Sequence, residues 1–127
     1  NRSAQFRLPQ NRYCIENRAA DMTMNVYLAL AMTLSAAMDG IKNKIDPGKP
    51  TDQDLYQMTE DQFKKLGIKR LPKNLLQAIE ALKNNKLSDE VLGSVMKKSF
   101  ISYKNDEWER YHQAVTDWEV KEYLRLF

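Results

Sequence analysis

The sequence is poor in the residues that build disulfides and zinc sites. Its 127 residues include one cysteine, Cys14, and one histidine, His112. A single cysteine excludes an internal disulfide framework, and with a single histidine it also excludes a zinc site of Cys and His ligands. A catalytic site of the Ser-His-Asp type would have to use His112. The cysteine usage indicates a reducing, cytoplasmic setting.

Long apolar runs are also missing. The most apolar stretch, residues 26–38, is interrupted by Thr33 and Ser35 and falls short of the ~20 residues that a membrane span needs. We therefore expect no membrane partner. With 43% hydrophobic and 29% charged residues, the composition is typical of a globular domain and too apolar for a disordered chain. The length fits one compact domain.

The excess of positive charge is confined to residues 1–18. The whole chain has 20 Lys+Arg against 17 Asp+Glu. The first 18 residues hold four arginines and one carboxylate, Glu16, and the remaining basic and acidic residues cancel. A nucleic-acid surface is usually broader and includes lysines and aromatics, so we expect no nucleic-acid partner. Clustered arginines fit a compact anion, a phosphate or a carboxylate, better than a nucleic acid. The alternative is a solvated N-terminal arm, which the charge pattern by itself favours. The four arginines are Arg2, Arg7, Arg12 and Arg18.

The first 18 residues predict an antiparallel β-hairpin. Residues 2–9 and 13–18 alternate apolar and polar side chains, and a turn separates them. On the second strand, Glu16 and Arg18 are two residues apart and should point to the same side. Arg2 and Arg7 are five apart, which places them on opposite faces of a regular strand unless a bulge intervenes or one long side chain reaches round.

The rest of the chain, residues 22–127, is predicted to be helical. A helix over about residues 24–38, capped by Asp21 or Thr23 and ending at Gly40, is apolar nearly all round. Such a helix should be packed on every side. Its methionines, and those elsewhere in the chain, are expected to fill the core, and Cys14 is expected to be a buried thiol.

Shorter helices are predicted in the second half. Thr59 and Gln62 form a capping box that starts one helix. Pro72 opens the next at its first turn, and Ser88 caps a fourth. A last helix, or a kinked pair, should span about residues 99–124. The predicted fold class is therefore mainly α with a short N-terminal β-hairpin.

Glu16 and Arg18 are the candidates for chemistry. A carboxylate beside a guanidinium can divide the work of phosphoryl transfer, since the carboxylate holds Mg²⁺ or Mn²⁺ and the arginine holds an anionic oxygen. The alternative is a Glu-x-Arg that occurs by chance on an exposed strand.

Five motifs in order along the chain resemble the C-terminal part of glutamine synthetase. They are NRSA at 1–4, RLP at 7–9, IENR at 15–18, NVYLA at 25–29 and DGI at 39–41. The resemblance implies that residues 1–127 are the C-terminal segment of an α+β catalytic domain, with residues 1–18 as an active-site hairpin. Because the chain opens at Asn1 as if within a strand, we expect it to be a piece of a longer protein.

The family joins glutamate to ammonia with ATP through γ-glutamyl phosphate, and the resemblance implies residue roles. Arg2 would be catalytic, lying between ATP and glutamate and binding both, and Arg7 would bind an ATP phosphate. Glu16 would bind Mg²⁺ or Mn²⁺, and Arg18 would bind glutamate. Tyr56 falls on a tyrosine that some members modify by adenylylation; a tyrosine that anchors its loop to the core is the alternative. The implied partners are the rest of the chain and further copies in a homo-oligomer.

The sequence departs from the family pattern in three respects. One is the connection from Pro9 to Glu16, which is shorter than in typical bacterial members and lacks the lysine usually linked to the nucleotide. Cys14 stands where an arginine normally contacts phosphate, so either Arg12 supplies that charge or the activity is altered. Val26 stands where the family has proline. Three alternatives stay open: a glutamine-forming ligase, a γ-glutamyl ligase for another amine (a polyamine or methylamine), and a non-catalytic helical assembly module. The isolated chain should be inactive because it carries one plausible metal carboxylate.

Overall fold

The computed structural model describes residues 2–126, so Asn1, which opens the first motif, lies outside them. Two short antiparallel strands precede a mainly helical remainder. The predicted fold class is confirmed. The chain divides into two compact units, Asn1–Arg70 and Leu71–Phe127. No helix within residues 2–126 combines the length and apolar character that a membrane crossing requires.

The hairpin of the first unit is shorter than predicted. Strand β1 (Phe6–Arg7) pairs with strand β2 (Glu16–Asn17), with Arg7 opposite Glu16 and Phe6 opposite Asn17. The backbone N–H of Arg18 also donates to the carbonyl of Gln5 at 2.8 Å. Because β1 has only two residues, Arg2 lies outside it, and the rule that would place Arg2 and Arg7 on opposite faces does not apply.

Helix α1 (Val26–Lys42) begins and ends at different residues from those predicted. Its N-cap is Asn25, whose side chain accepts from the N–H of Leu28 at 3.1 Å. Asp21 instead accepts hydrogen bonds from the backbone N–H and hydroxyl of Thr23, so neither residue caps the helix. Gly40 lies inside α1, which ends at the C-cap Asn43. Glycine is permitted within a helix, although it lowers helix stability.

The prediction that α1 is packed on every side is wrong for the described chain. The helix has no buried residue, and Leu34, Met38 and Ile41 are 62–72% exposed. None of the strands or helices described in the first unit packs against it. The methionines likewise fill no core, since all six are partly or largely exposed. Apolar pattern alone therefore did not determine burial here.

The rest of the first unit contains a 3-10 turn (Leu55–Gln57) and helix α2 (Glu60–Lys65). The predicted capping box is confirmed: the hydroxyl of Thr59 accepts from the N–H of Gln62, and the Gln62 side chain accepts from the N–H of Thr59. Phe63 is buried, and the Arg70 guanidinium lies over its ring at 4.1 Å.

The second unit contains three helices, α3 (Leu75–Lys83), α4 (Lys86–Gln113) and α5 (Asp117–Tyr123). Asparagines cap the first two: the Asn74 side chain accepts from the N–H of Gln77, and the Asn85 side chain accepts from the N–H of Ser88. Pro72 therefore precedes α3 rather than opening it, and the predicted cap Ser88 is instead fully buried in the first turn of α4.

The predicted separation between a fourth and a last helix is confirmed, although the break falls a few residues earlier than predicted. Within Lys86–Gln113 the backbone leaves helical geometry at Gly93, where φ is 69° and ψ is 164°, so α4 consists of two helical segments joined by a kink. The chain leaves the helix at Ala114 and re-enters it at α5, within the predicted final segment. Helices α3 and α4 pack together around Ile79 and the aliphatic stem of Lys97, which are 4% and 5% exposed.

Candidate functional site

The hairpin brings one carboxylate between two guanidinium groups. Nη1 of Arg7 donates to Oε2 of Glu16 at 3.0 Å, and Nη2 of Arg12 donates to Oε1 of the same residue. Each oxygen of Glu16 therefore accepts from a different arginine. We refer to Arg7, Glu16 and Arg12 as the hairpin cluster.

Local structure explains how the cluster forms. Side chains directly opposite each other in an antiparallel pair have Cβ atoms about 5 Å apart, so the register of β1 and β2 places Arg7 within reach of Glu16. Arg12 lies in the turn between the strands, where the N–H of Cys14 donates to the Arg12 carbonyl at 3.1 Å. That turn folds the chain back and brings the Arg12 side chain next to Glu16, four residues later.

The cluster keeps its carboxylate ionised. The pKa of Glu16 lies below its ordinary value, first because of the hydrogen bond from Arg7 and then because of the one from Arg12. The same contact raises the pKa of the Arg12 guanidinium. Two guanidiniums and one carboxylate leave the hairpin cluster with a formal charge of +1. This is an environment suited to anions.

The three side chains differ in exposure. Glu16 is 22% exposed, Arg7 is 38% exposed and Arg12 is 62% exposed. The carboxylate is thus the most enclosed member, and Arg12 is the one nearest to free solvent. Arginines on the water side of an ion pair contribute little stability and are easily exchanged for another partner.

The remaining predicted site residues lie on the same segment but outside the cluster. Arg18 follows β2, and its backbone N–H donates to the carbonyl of Gln5, the residue before β1. Arg2 precedes the hairpin; beside it, the hydroxyl of Ser3 accepts from the N–H of Leu55 at 2.9 Å. Both side chains are exposed. The ion pairs of Glu16 are made with Arg7 and Arg12, so the predicted roles of Arg2 and Arg18 stay predictions.

Sequence reasoning missed the direct contact between Arg12 and Glu16. The two residues are four apart, which on a strand would put them on one face but about 13 Å apart along it. Only the turn at Arg12 closes that distance. The signal available in the sequence was the excess of arginine around a single carboxylate, which identified the segment without identifying the pairs.

Glu16 fits a divalent cation as one ligand of a shared site. Its carboxylate supplies the hard oxygens that Mg²⁺ and Mn²⁺ prefer. Among residues 2–126 no group of three or more His, Cys, Asp or Glu side chains is placed to hold a metal ion. Mg²⁺ is commonly bound by one or two carboxylates together with waters and substrate phosphates. The described residues therefore match a partial metal site.

Tyr56 lies in the 3-10 turn and is 79% exposed. Its backbone N–H donates to the Asp54 side chain at 3.0 Å, which fixes the turn without using the phenol. The alternative that Tyr56 anchors its loop to a core does not agree with this exposure. Adenylylation of Tyr56 stays a prediction, and the accessible hydroxyl is compatible with it.

The single cysteine and the single histidine have no catalytic arrangement. Cys14 lies before β2 and is exposed, which contradicts the expectation of a buried thiol. His112 packs on the Trp108 ring with centroids 3.7 Å apart, and its Nδ1–H donates to the Trp108 carbonyl at 2.8 Å. His112 is therefore a packing residue of α4.

Comparison with known proteins gives a consistent result. A family model described as the catalytic domain of glutamine synthetase matches residues 1–123. The glutamine synthetase of Methanococcus maripaludis is 41% identical over 99% of this chain and 29% of its own length. The glutamate–methylamine ligase of Methyloversatilis universalis is also 41% identical, over 100% of this chain and 28% of its own length.

Solved structures agree with the sequence comparison. A GmaS/ADP complex superposes with a TM-score of 0.74 at 32% identity, covering 87% of this chain and 25% of that one. GmaS without ligand gives a TM-score of 0.71 with the same identity and coverage. The chain thus spans less than a third of the length of these relatives.

Proposed function

The chain belongs to the glutamine synthetase family, and from that premise we propose that it is the C-terminal segment of the catalytic domain of an ATP-dependent ligase that joins glutamate to an amine. The observation that carries the proposal is the register of the hairpin, which sets Arg7 directly opposite Glu16. A guanidinium and a carboxylate held together by backbone pairing provide a fixed cationic and a fixed anionic group at one place.

These groups suit the transfer of a phosphoryl group from ATP to the γ-carboxyl of glutamate. Such a transfer depends mainly on positioning and on neutralising charge on the phosphate oxygens. In the proposal Arg7 binds an ATP phosphate, Arg18 holds the glutamate, and Arg2 lies between the two substrates. The γ-glutamyl phosphate then loses phosphate as the amine nitrogen attacks the acyl carbon and gives up a proton.

Glu16 would hold Mg²⁺ or Mn²⁺ through one carboxylate oxygen, and the remaining ligands would come from other parts of the protein, from water and from phosphate. When bound, the cation supplies charge neutralisation at the phosphates. Glu16 is ionised over the physiological pH range, so its carboxylate can supply a charged oxygen to the cation.

Ammonia is the amine that we propose first, and methylamine is the second candidate. Curated relatives of both kinds are 41% identical to this chain, so overall similarity does not separate them. The likeness to the solved structures of GmaS supports methylamine as a candidate substrate. A panel of ammonia, methylamine and a polyamine, assayed with the full-length protein, would identify the substrate by its kcat/KM.

The family likeness also supports the predicted partners. These are glutamate, ATP, the rest of the protein and further copies of it in a homo-oligomer. A cytoplasmic location stays a prediction. The alternative of a non-catalytic assembly module is less well supported, because such a module has no need for two arginines held on one carboxylate.

The test is Glu16→Gln in the full-length protein. The amide keeps the size of the side chain but removes the charge, so we expect Mn²⁺ affinity to fall at least tenfold, with loss of ligase activity. Mn²⁺ titration followed by electron paramagnetic resonance measures the first effect independently of catalysis. Glu109→Gln, at an exposed position of α4, is the matched control and should bind Mn²⁺ as the wild type does. Unchanged affinity in Glu16→Gln would reject the proposed role.

A further inference from the structure

The segment before β1 is attached to a part of the first unit that is distant in the sequence. The hydroxyl of Ser3 accepts from the backbone N–H of Leu55 at 2.9 Å, although the two residues are 52 positions apart. Both residues are partly buried. Breaking a hydrogen bond in such a place is costly, because water does not fully replace the lost partner. The bond therefore holds the two segments together.

Leu55 is the first residue of the 3-10 turn, whose other end is fixed locally. The first N–H groups of a helical turn have no partner inside the turn. The side chain of Asp54 accepts from one of them, the N–H of Tyr56, at 3.0 Å. The N–H of Leu55 donates to Ser3 instead. The turn is thus completed by a residue from the start of the chain.

The contact at Ser3 restricts the position of its neighbour, Arg2. Strand pairing in the hairpin begins at Phe6, so the register fixes Arg7 but does not extend to Arg2. Consecutive Cα atoms are about 3.8 Å apart, and a backbone held at Ser3 leaves Arg2 a small range of positions. The 3-10 turn is therefore an anchor for Arg2 that is independent of the strands.

We infer that Ser3 is a positioning residue: by accepting from the N–H of Leu55, it holds Arg2 at the place from which Arg2 acts between the two substrates. This inference rests on the proposed function, which gives Arg2 that place. Ser3 itself has no need to touch either substrate.

Phosphoryl transfer is sensitive to such positioning. A displacement of about 1 Å in a group that acts on the reacting atoms can lower the rate on the order of a hundredfold. The requirement is strictest in the transition state, so a displaced Arg2 should lower kcat more than it weakens the binding of substrates. A general loss of stability would instead reduce the amount of folded enzyme.

The experiment compares Ser3→Ala with Ser3→Thr in the full-length protein. Ser3→Ala removes the acceptor, and we expect kcat to fall roughly ten- to hundredfold. The KM for glutamate and the affinity for ADP should change less than about threefold. Ser3→Thr keeps a hydroxyl at the same atom and should recover most of the wild-type kcat.

A second variant removes the donor instead of the acceptor. Leu55→Pro has no N–H, and proline is accepted at the first position of a helical turn. Asp54, with φ −73° and ψ 108°, already has the extended backbone that a residue before proline adopts. We expect kcat to fall by a factor similar to that of Ser3→Ala, and the double variant should fall no further. Leu55→Ala keeps the N–H and controls for the lost side chain.

Thr116→Ala is the matched control for the loss of a hydroxyl acceptor. The hydroxyl of Thr116 accepts from the backbone N–H of Glu119 at 3.2 Å, only three residues along the chain. Its removal breaks a bond of the same kind that joins no distant segments, so kcat should stay at the wild-type value. Thermal unfolding of each variant shows whether it is folded at the assay temperature. Should Ser3→Ala be unfolded, Leu55→Pro provides the same comparison.

Arg2→Gln distinguishes positioning from a general structural effect. If Ser3 acts through Arg2, Ser3→Ala should not lower the residual kcat further in an Arg2→Gln background. An equal fall in that background, or a wild-type kcat in folded Ser3→Ala, would reject the role of Ser3 and leave the proposed function in place. A wild-type kcat in Arg2→Gln would show that the proposed role of Arg2 is wrong, and the role of Ser3 would fail with it.

Discussion

At the scale of single residues, the site depends on which groups surround Glu16. A carboxylate between two guanidiniums stays ionised and stays in place, and both properties suit a residue that has to accept a cation. The same arrangement in an isolated strand would be an ordinary surface ion pair of small value. What distinguishes it is that two arginines converge from different elements, a strand and a turn.

The lowered pKa of Glu16 predicts how the stability of the protein depends on pH. The folded-state pKa lies below the ordinary value of about 4.3, so the ionised carboxylate stabilises the fold above that value. As the pH falls through the lowered folded-state pKa, the carboxylate is protonated and the contribution is lost. Thermal unfolding of the wild type and of Glu16→Gln should therefore differ at neutral pH, and the difference should shrink below about pH 4. An equal difference at pH 3 and pH 7 would contradict this account.

Residue identity explains which parts of the site could be predicted. The sequence identified Glu16 and its neighbouring arginines, since charge composition is visible without a structure. It gave no correct account of Cys14, because the burial of a small thiol depends on which surface its turn faces. The pairing of Arg12 with Glu16 required the turn, whose backbone conformation has no periodic signal in the sequence.

At the scale of elements, helix α4 contains a kink at Gly93 that side-chain contacts hold in place. Gly93 has φ 69° and ψ 164°, a region that essentially only glycine occupies. Across this break, Nζ of Lys97 donates to the carbonyl of Asn85 at 3.1 Å and to the Asp89 carboxylate at 2.8 Å. The buried lysine thus ties the segment after the break to the segment before it.

Two glycine substitutions test this interpretation, because they should change the stability of the fold in opposite directions. A Cβ at Gly93 meets nothing within 4 Å, so the expected loss for Gly93→Ala, on the order of 1–3 kcal/mol, comes from the backbone alone. Gly40 also has open space around it but lies inside α1 with no unusual φ. In the isolated chain, Gly40→Ala should therefore raise stability by about 0.5–1 kcal/mol. Thermal or urea unfolding of the two variants measures both changes, and a stabilising Gly93→Ala would contradict the assigned conformation.

Helix boundaries followed local chemistry more closely than apolar pattern. The capping box at Thr59 was predicted correctly, since it depends on residues three apart in the sequence. The caps of α1, α3 and α4 were missed because asparagines next to the predicted caps compete for the same first-turn N–H groups. The separation of α4 into two helical segments was predicted, but the break lies at Gly93, inside the segment that the apolar pattern assigned to the fourth helix.

At the scale of the whole molecule, the described chain is only part of what its relatives contain. It matches 28–29% of the length of the two curated relatives compared above. Helix α1 is apolar nearly all round yet has no buried residue. We expect that other parts of the full-length protein cover α1 and supply the missing metal ligands.

This expectation predicts that the isolated 127 residues are inactive. They carry one candidate metal carboxylate, and none of residues 2–126 completes a metal site around it. Assays of γ-glutamyl transfer and of ATP turnover on the isolated chain should give no signal above background, while the full-length protein is active under the same conditions. Clear turnover by the isolated chain would show that the site is complete without the rest of the protein.

The sequence by itself determined the mainly helical class, the N-terminal hairpin, the arginine-rich segment and the family, because these depend on composition, local spacing and motif order. Only the tertiary structure decided that Arg7 and Arg12 share Glu16, that the kink in α4 lies at Gly93 and that α1 has no buried residue. The physical reason is the same in each case. Contacts between side chains distant along the chain depend on turn conformation and on which surfaces meet, and neither quantity is carried by local pattern.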